Sequence, residues 1–276
     1  MAVIIGDIHG EISKVRVFLA YKPQVRHVFL GDLADNRKGG ISLEDELECL
    51  DLILSSDSDI TWGNHDLAYV PARPWRCYSS FIIEHQDIAG YTSRSEYLRK
   101  VNEQNGNLFV RDIFEERYLP HFGRIKAAHA VDGWLCTHAG VSPEVAGIIP
   151  AEILRAGTQE IADWLQEEFL REMQAVGQSF RDTDPRRFGC RPLFKIPKCR
   201  GGLDTSGGIF WFDPIGEESN PSPLVGRQIF GHTPVPYPEI STLGTKWVNL
   251  NAFEDDGIWI YDTEEDRLID LNELAG

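Results

Sequence analysis

The sequence predicts an α/β (α+β) fold, with two packed mixed β-sheets flanked by helices and helical insertions over the edge where ligands bind. Three observations predict it. Short apolar runs at residues 3–5, 27–30 and 60–62 alternate with stretches whose apolar residues recur at helical spacing. Each run ends at a glycine, and the residues after that glycine include aspartate, histidine or asparagine. Farther on, residues 246–250 and 257–261 alternate in polarity around Trp247 and Trp259, as half-buried strands do.

Taken in order, Val3 to Ile5 form a strand, and Ile12, Val15, Phe18 and Leu19 mark a helix over residues 11–20. His27 to Leu30 form the second strand. Ser42, with Asp45 three residues on, caps a helix whose apolar stripe is Leu43, Leu47, Leu50 and Leu54. Ile60 to Trp62 form the third strand, and residues 92–119 have helical periodicity. Gly133 to Cys136 and Gln228 to Phe230 are two more short strands. Between them, Ile153, Leu154, Ile161, Leu165, Phe169 and Met173 describe a short and a long helix broken near Gly157. The two tryptophan-bearing runs near the end are expected to join a second sheet.

At 276 residues, 42% of them hydrophobic, the chain can bury one large core, so a single domain over 1–276 is expected, with insertions at 67–125 and 144–207. No run of about 18 apolar residues spans a bilayer, and the start of the chain lacks a signal peptide's basic, apolar and small-residue segments. No membrane association and a cytoplasmic location are therefore expected. Five cysteines without a CxxC pair argue against a disulfide framework and against a thiolate zinc site. A net charge of −16 repels polyanions over the surface as a whole, which excludes generic nucleic-acid binding but not a small anion at a local cationic site.

The strand ends carry the chemistry. GDIHG at 6–10, GDLAD at 31–35 and GNHD at 63–66 each follow an apolar run, as do THAG at 137–140 and GHTP at 231–234. Strands alternating with helices make a parallel sheet whose carboxyl ends share one edge, where α/β sheets bind ligands. Asp7, His9, Asp32, Asn64, His65, His138 and His232 thus converge from distant parts of the chain. Such oxygen and nitrogen donors, without cysteine, suit borderline divalent metals, and a two-metal hydrolytic centre accounts for them economically. His27, His85, His121 and His129 have no motif around them and are expected to be structural.

The set GDIHG, GDLAD, GNHD, THAG and GHTP resembles the calcineurin-like metallophosphoesterases, from residue 6 to about residue 250. Within that superfamily the chain is most similar to the branch of serine/threonine phosphoprotein phosphatases and bacterial diadenosine tetraphosphate hydrolases. DGWLCTHAGVSPE at 132–144 resembles that branch's histidine loop, and GIFWFDP at 208–214 its tryptophan-aspartate-proline segment. Phosphodiesterase relatives carry GHxH, whereas Pro234 stands at the second histidine here, which favours a monoesterase or pyrophosphohydrolase. The implied fold is the four-layer αββα sandwich.

By this resemblance Asp7 and His9 bind the first of two divalent ions, Asp32 bridges both, and Asn64, His138 and His232 complete the second site. Manganese is the expected metal in vitro, with iron, zinc, cobalt or nickel as alternatives. A metal-bridging hydroxide then attacks phosphorus, His65 protonates the leaving group, and Asp35 orients His65. The implied substrate is a phosphomonoester, a phosphorylated protein included, or alternatively a dinucleoside polyphosphate. A metal-free interaction scaffold is disfavoured, because all six ligand residues are present.

The phosphoprotein phosphatases place a phosphate-gripping arginine directly after the orienting aspartate. Here Asn36 stands there and Arg37 follows. A second cationic source is the run 181–200, RDTDPRRFGCRPLFKIPKCR, with seven basic residues against two acidic ones, or +5. Arg37, Arg187, Arg191 and Arg200 are the candidate phosphate ligands. The oligomeric state is not specified by any of these features.

Overall fold

The computed structural model describes residues 1–36, 41–70, 110–179, 191–241, 245–252 and 257–274. Its strands are β1 (Ala2–Ile5), β2 (Arg26–Phe29), β3 (Asp59–Ile60), β4 (Ala128–Val131) and β5 (Trp134–Thr137). They are followed by β6 (Arg227–Phe230), β7 (Glu239–Ser241), β8 (Trp247–Asn249), β9 (Trp259–Asp262) and β10 (Arg267–Asp270). The α-helices are α1 (Ile12–Ala20), α2 (Leu43–Ser55), α3 (Val110–Tyr118), α4 (Pro143–Ala146), α5 (Ala151–Ala156), α6 (Thr158–Ser179) and α7 (Leu271–Leu274).

Two five-stranded sheets result, in the orders β10-β9-β1-β2-β3 and β4-β5-β6-β8-β7. The β1-β2-β3 half of the first sheet is parallel, and so is β5-β6-β8 in the second. Both sheets are mixed, because β9 runs antiparallel to both its neighbours, β1 and β10, and β4 and β7 flank the second sheet antiparallel. The period of two along each strand builds the layers. Ile4, Val28, Cys136, Ile229 and Val248 fall in one buried cluster, between the sheets, together with Trp134 and Tyr261. Their neighbours Val3, Ile5, Phe29 and Leu135 fall in the other, which holds Phe18, Leu50, Leu165 and Phe169 of the covering helices. The sequence is thus a helix-flanked sandwich of two mixed sheets.

Ser42 caps α2 as its spacing predicts, accepting the N–H of Asp45 at 3.0 Å. The break between α5 and α6 falls at Gly157, whose φ of +125° disfavours any other residue. One expectation needs correction: β8 joins the second sheet, but β9 pairs antiparallel with β1 in the first. Alternating polarity reports that one strand face is buried and says nothing about which sheet supplies the neighbour. Of the helical run 92–119, residues 92–109 lie outside the described residues, and the rest contains α3. His27 and His129 are buried and bonded to backbone carbonyls, a structural setting. Cys49, Cys136 and Cys199 are free thiols. No helix among the described residues is long and apolar enough to cross a membrane.

Candidate metal centre

The loops leaving β1, β2, β3, β5 and β6 meet at one edge of the sandwich, laced together by hydrogen bonds. Ile8 and His9 donate their N–H groups to the Asp32 carbonyl at 3.1 and 2.8 Å, joining the first loop to the second. His65 N–H donates to Asp32 Oδ1 at 2.9 Å, joining the second to the third. Gly231 N–H donates to the His138 carbonyl at 2.7 Å, and His232 N–H to Asp7 Oδ1 at 3.0 Å, which joins the β5 and β6 loops to each other and to the first.

Close approach makes glycine necessary at particular positions. A Cβ on Gly63 would lie 2.1 Å from Asp32 N, and one on Gly231 would lie 2.2 Å from Asp7 Oδ1. In GDIHG the left-handed residues are His9 (φ 49°) and Gly10 (φ 73°), so Gly6 is not a hinge; its hydrogen faces the Leu250 backbone instead. Asp32, Asp35 and His232 are also left-handed, with φ of 49°, 71° and 64°. Non-glycine residues hold this conformation at a cost of about 1–3 kcal/mol each, and their clustering here marks a site whose geometry the surrounding bonds impose.

Two donor groups share one carboxylate. Asp7, His9 and Asp32 form the first and Asp32, His138 and His232 the second, with ligand atoms within 4.8 Å of one another in each. Asn64 joins the second, its Oδ1 lying 2.9 Å from both His138 Nε2 and His232 Nδ1. His138 Nδ1 bonds the Leu30 carbonyl at 2.8 Å, which places the proton on Nδ1 and the lone pair on Nε2. Burial holds His138 below its ordinary pKa, and the Arg200 charge adds to the effect. A neutral imidazole therefore turns a bare nitrogen toward an amide oxygen, two acceptors without a hydrogen to share. His9 is arranged alike: Nδ1 faces the Ala34 carbonyl at 3.1 Å, leaving Nε2 toward Asp7 Oδ2 at 3.8 Å and Asp32 Oδ2 at 3.9 Å. Burial, then the charges of Asp7 and Asp66, keep the Asp32 carboxyl well above its usual range. Converging lone pairs around a buried shared carboxyl fit two divalent cations.

Beside the ligands, His65 Nδ1 donates to Asp35 Oδ2 at 2.6 Å, and the Tyr69 hydroxyl donates to the other Asp35 oxygen. The His65 ring stands edge-on to His9, 5.3 Å between centroids. Of the candidate arginines, Arg37 and Arg187 lie outside the described residues. Arg191 acts electrostatically on Glu172 of α6. Arg200 donates from Nε to Asp213 Oδ2 at 2.7 Å, and Asp213 also accepts from Thr233, the residue after His232.

Four further residues received no role from the motifs, one of them Asp66, the last residue of GNHD itself. Asp66, fully buried, accepts from Leu33 N–H and Gly63 N–H, each at 2.9 Å, and so ties the second loop to the third. Asn251 donates to Asp7 Oδ2 at 2.8 Å, fixing that carboxylate. Tyr69 and Glu46 support Asp35, the first through its hydroxyl and the second by accepting the Asp35 N–H. Apart from Asp66, each is a polar residue on an ordinary loop or helix, and only burial distinguishes it.

Residues 2–236 match the calcineurin-like phosphoesterases. The chain belongs to that family. Its members are hydrolases acting on phosphoester bonds at a dinuclear metal centre, and the two donor groups here are candidates for that centre. A mutant of a cold-active protein tyrosine phosphatase shares the fold at 14% identity and a TM-score of 0.51, over 97% of this chain and 76% of that one. A putative diadenosine tetraphosphatase aligns at 13% identity and a TM-score of 0.42, over 97% and 91%. A serine/threonine phosphatase from Saccharomyces cerevisiae aligns at 17% identity and a TM-score of 0.28, over 51% and 38%. No curated protein sequence matches the chain.

Proposed function

We propose that the protein hydrolyses phosphomonoesters, phosphorylated serine or threonine side chains included, with manganese as the working metal in vitro. The observation that carries this reading is the His65–Asp35 bond of 2.6 Å beside the shared carboxylate Asp32. Asp7, His9 and Asp32 hold one cation; Asp32, Asn64, His138 and His232 hold the other. When bound, two such cations supply Lewis-acid charge for the phosphate oxygens and acidify a water to near neutrality. His65, its Nδ1–H hydrogen-bonded to Asp35, carries on Nε2 the proton that passes to the leaving oxygen. Arg200, oriented by Asp213, binds the phosphoryl oxygens.

The charges of the segment that includes Arg200 favour a small phosphate over a long polyanion. Lys195 is paired with Glu144 and Arg200 with Asp213. Two of the four cations among residues 191–200 are thus neutralised by carboxylates, which leaves less unbalanced charge for a polyphosphate chain. Comparing kcat/KM on a phosphoserine peptide and on diadenosine tetraphosphate at saturating manganese tests the reading. The peptide is expected to be the better substrate; faster turnover of the dinucleotide overturns it in favour of polyphosphate hydrolysis. His65→Asn is expected to lower kcat by about 10²–10⁴ with metal content intact.

A further inference from the structure

Glu46 is the fourth residue of α2 and is completely buried, with 0% of its surface exposed. Its Oε1 accepts the backbone N–H of Asp35 at 2.5 Å and that of Asn36 at 3.2 Å. Oε2 has no hydrogen-bond partner among the described residues. No lysine or arginine among them pairs with it, and burial pushes its carboxyl up to about 7. A buried carboxyl this poorly compensated weakens a core relative to an apolar side chain of similar size. Helix packing alone does not account for it.

The geometry around it does. Asp35 is left-handed, and from that turn its carboxylate reaches His65 on one side and Tyr69 on the other. Asn36 donates from Nδ2 to the His9 carbonyl at 2.9 Å, tying the same turn to the first metal loop. Gly10 makes room for Glu46, since a Cβ there would lie 2.6 Å from Glu46 Cγ. The turn that aims Asp35 is thus held from below by one carboxyl oxygen.

We propose that Glu46 is a positioning residue for proton delivery: by accepting two consecutive N–H groups it fixes the Asp35 turn, and through Asp35 the imidazole of His65. The proposal rests on the reading of His65 as the acid. Proton delivery matters for a poor leaving group, such as the alkoxide of phosphoserine, and little for p-nitrophenolate, which departs as an anion. A residue serving only stability would not discriminate between the two.

The experiment measures kcat on a phosphoserine peptide and on p-nitrophenyl phosphate, with metal content, for Glu46→Leu, Glu46→Asp, Glu46→Gln and His65→Asn. Glu46→Leu removes the acceptor at similar volume, and the expected peptide kcat falls at least ~30-fold, a partial loss of the about 10²–10⁴-fold that acid catalysis supplies. On p-nitrophenyl phosphate the fall is several times smaller, and metal content is retained. Glu46→Asp draws the carboxyl back by one carbon and shows the same selectivity at smaller amplitude, which keeps the test available if Glu46→Leu does not fold. Glu46→Gln restores an acceptor oxygen and recovers most of the peptide activity. Equal losses on both substrates, or loss of metal, in folded Glu46→Leu or Glu46→Asp overturn the proposal, as does no loss at all, provided that His65→Asn is selective against the peptide. If His65→Asn itself is not selective, the assignment of His65 as acid fails, and the Glu46 proposal with it.

Discussion

Replacing Gly63 by alanine tests how closely the loops are packed around Asp32. The new Cβ would stand 2.1 Å from Asp32 N and 2.3 Å from Asp32 Oδ1, where ordinary contact begins at 3.4 Å. Neither atom can swing aside, because one is backbone and the other is held by His65 N–H at 2.9 Å. Relief therefore takes a displacement of roughly 1 Å in the loop that carries the shared carboxylate, and misplacement on that scale costs on the order of 10²-fold in rate. The assay is kcat on p-nitrophenyl phosphate at saturating manganese, with metal content and a thermal melt. Gly123→Ala is the control, since a Cβ there meets nothing within 4 Å. The expected result is a folded Gly63→Ala protein with kcat lowered ~10²-fold and fewer ions bound, beside an unaffected Gly123→Ala. Wild-type kcat and metal content in folded Gly63→Ala would refute the geometric argument.

Asp66→Ala leaves the N–H groups of Leu33 and Gly63 and the hydroxyl of Tyr118 without their acceptor, so stability is expected to fall by at least ~2 kcal/mol in urea unfolding. Glu172 is pushed up to about 8 by burial and by its neighbour Glu168. The folded state then keeps a proton that the unfolded chain loses above its ordinary value of 4.5, so stability falls as pH rises from there through about 8. Glu172→Gln is expected to melt higher than wild type at pH 8 by at least ~2 °C, about one pKa unit's worth, with the two converging near pH 4.5; equal melting temperatures at pH 8 would contradict the shift.

Much of the site was legible because the chemistry sits at strand ends. Each of the six candidate ligand residues follows an apolar run within a few positions, and parallel topology brings those ends to one edge, so order along the chain translated directly into proximity. The supporting residues, Asp66 of GNHD apart, carry no such signature. Glu46 was the most accessible of them: it lies three residues after Leu43 and four before Leu50, on the apolar stripe of α2, where a charged residue is out of place. Asp66 and Asn251 act through backbone N–H groups and carboxylate oxygens brought near only by tertiary packing. The sheet assignment of β9 was lost for the same reason, since pairing with β1 joins residues about 260 apart in sequence.

The central claim is that Asp32 is shared by two cations. Metal analysis of wild type and Asp32→Asn after manganese loading and desalting, alongside phosphatase activity, addresses it most directly. About two ions per wild-type chain are predicted, falling to one or fewer in Asp32→Asn, with activity lost. A folded Asp32→Asn protein that keeps both ions and its activity, or a wild-type chain that hydrolyses phosphoesters without bound metal, would contradict the claim.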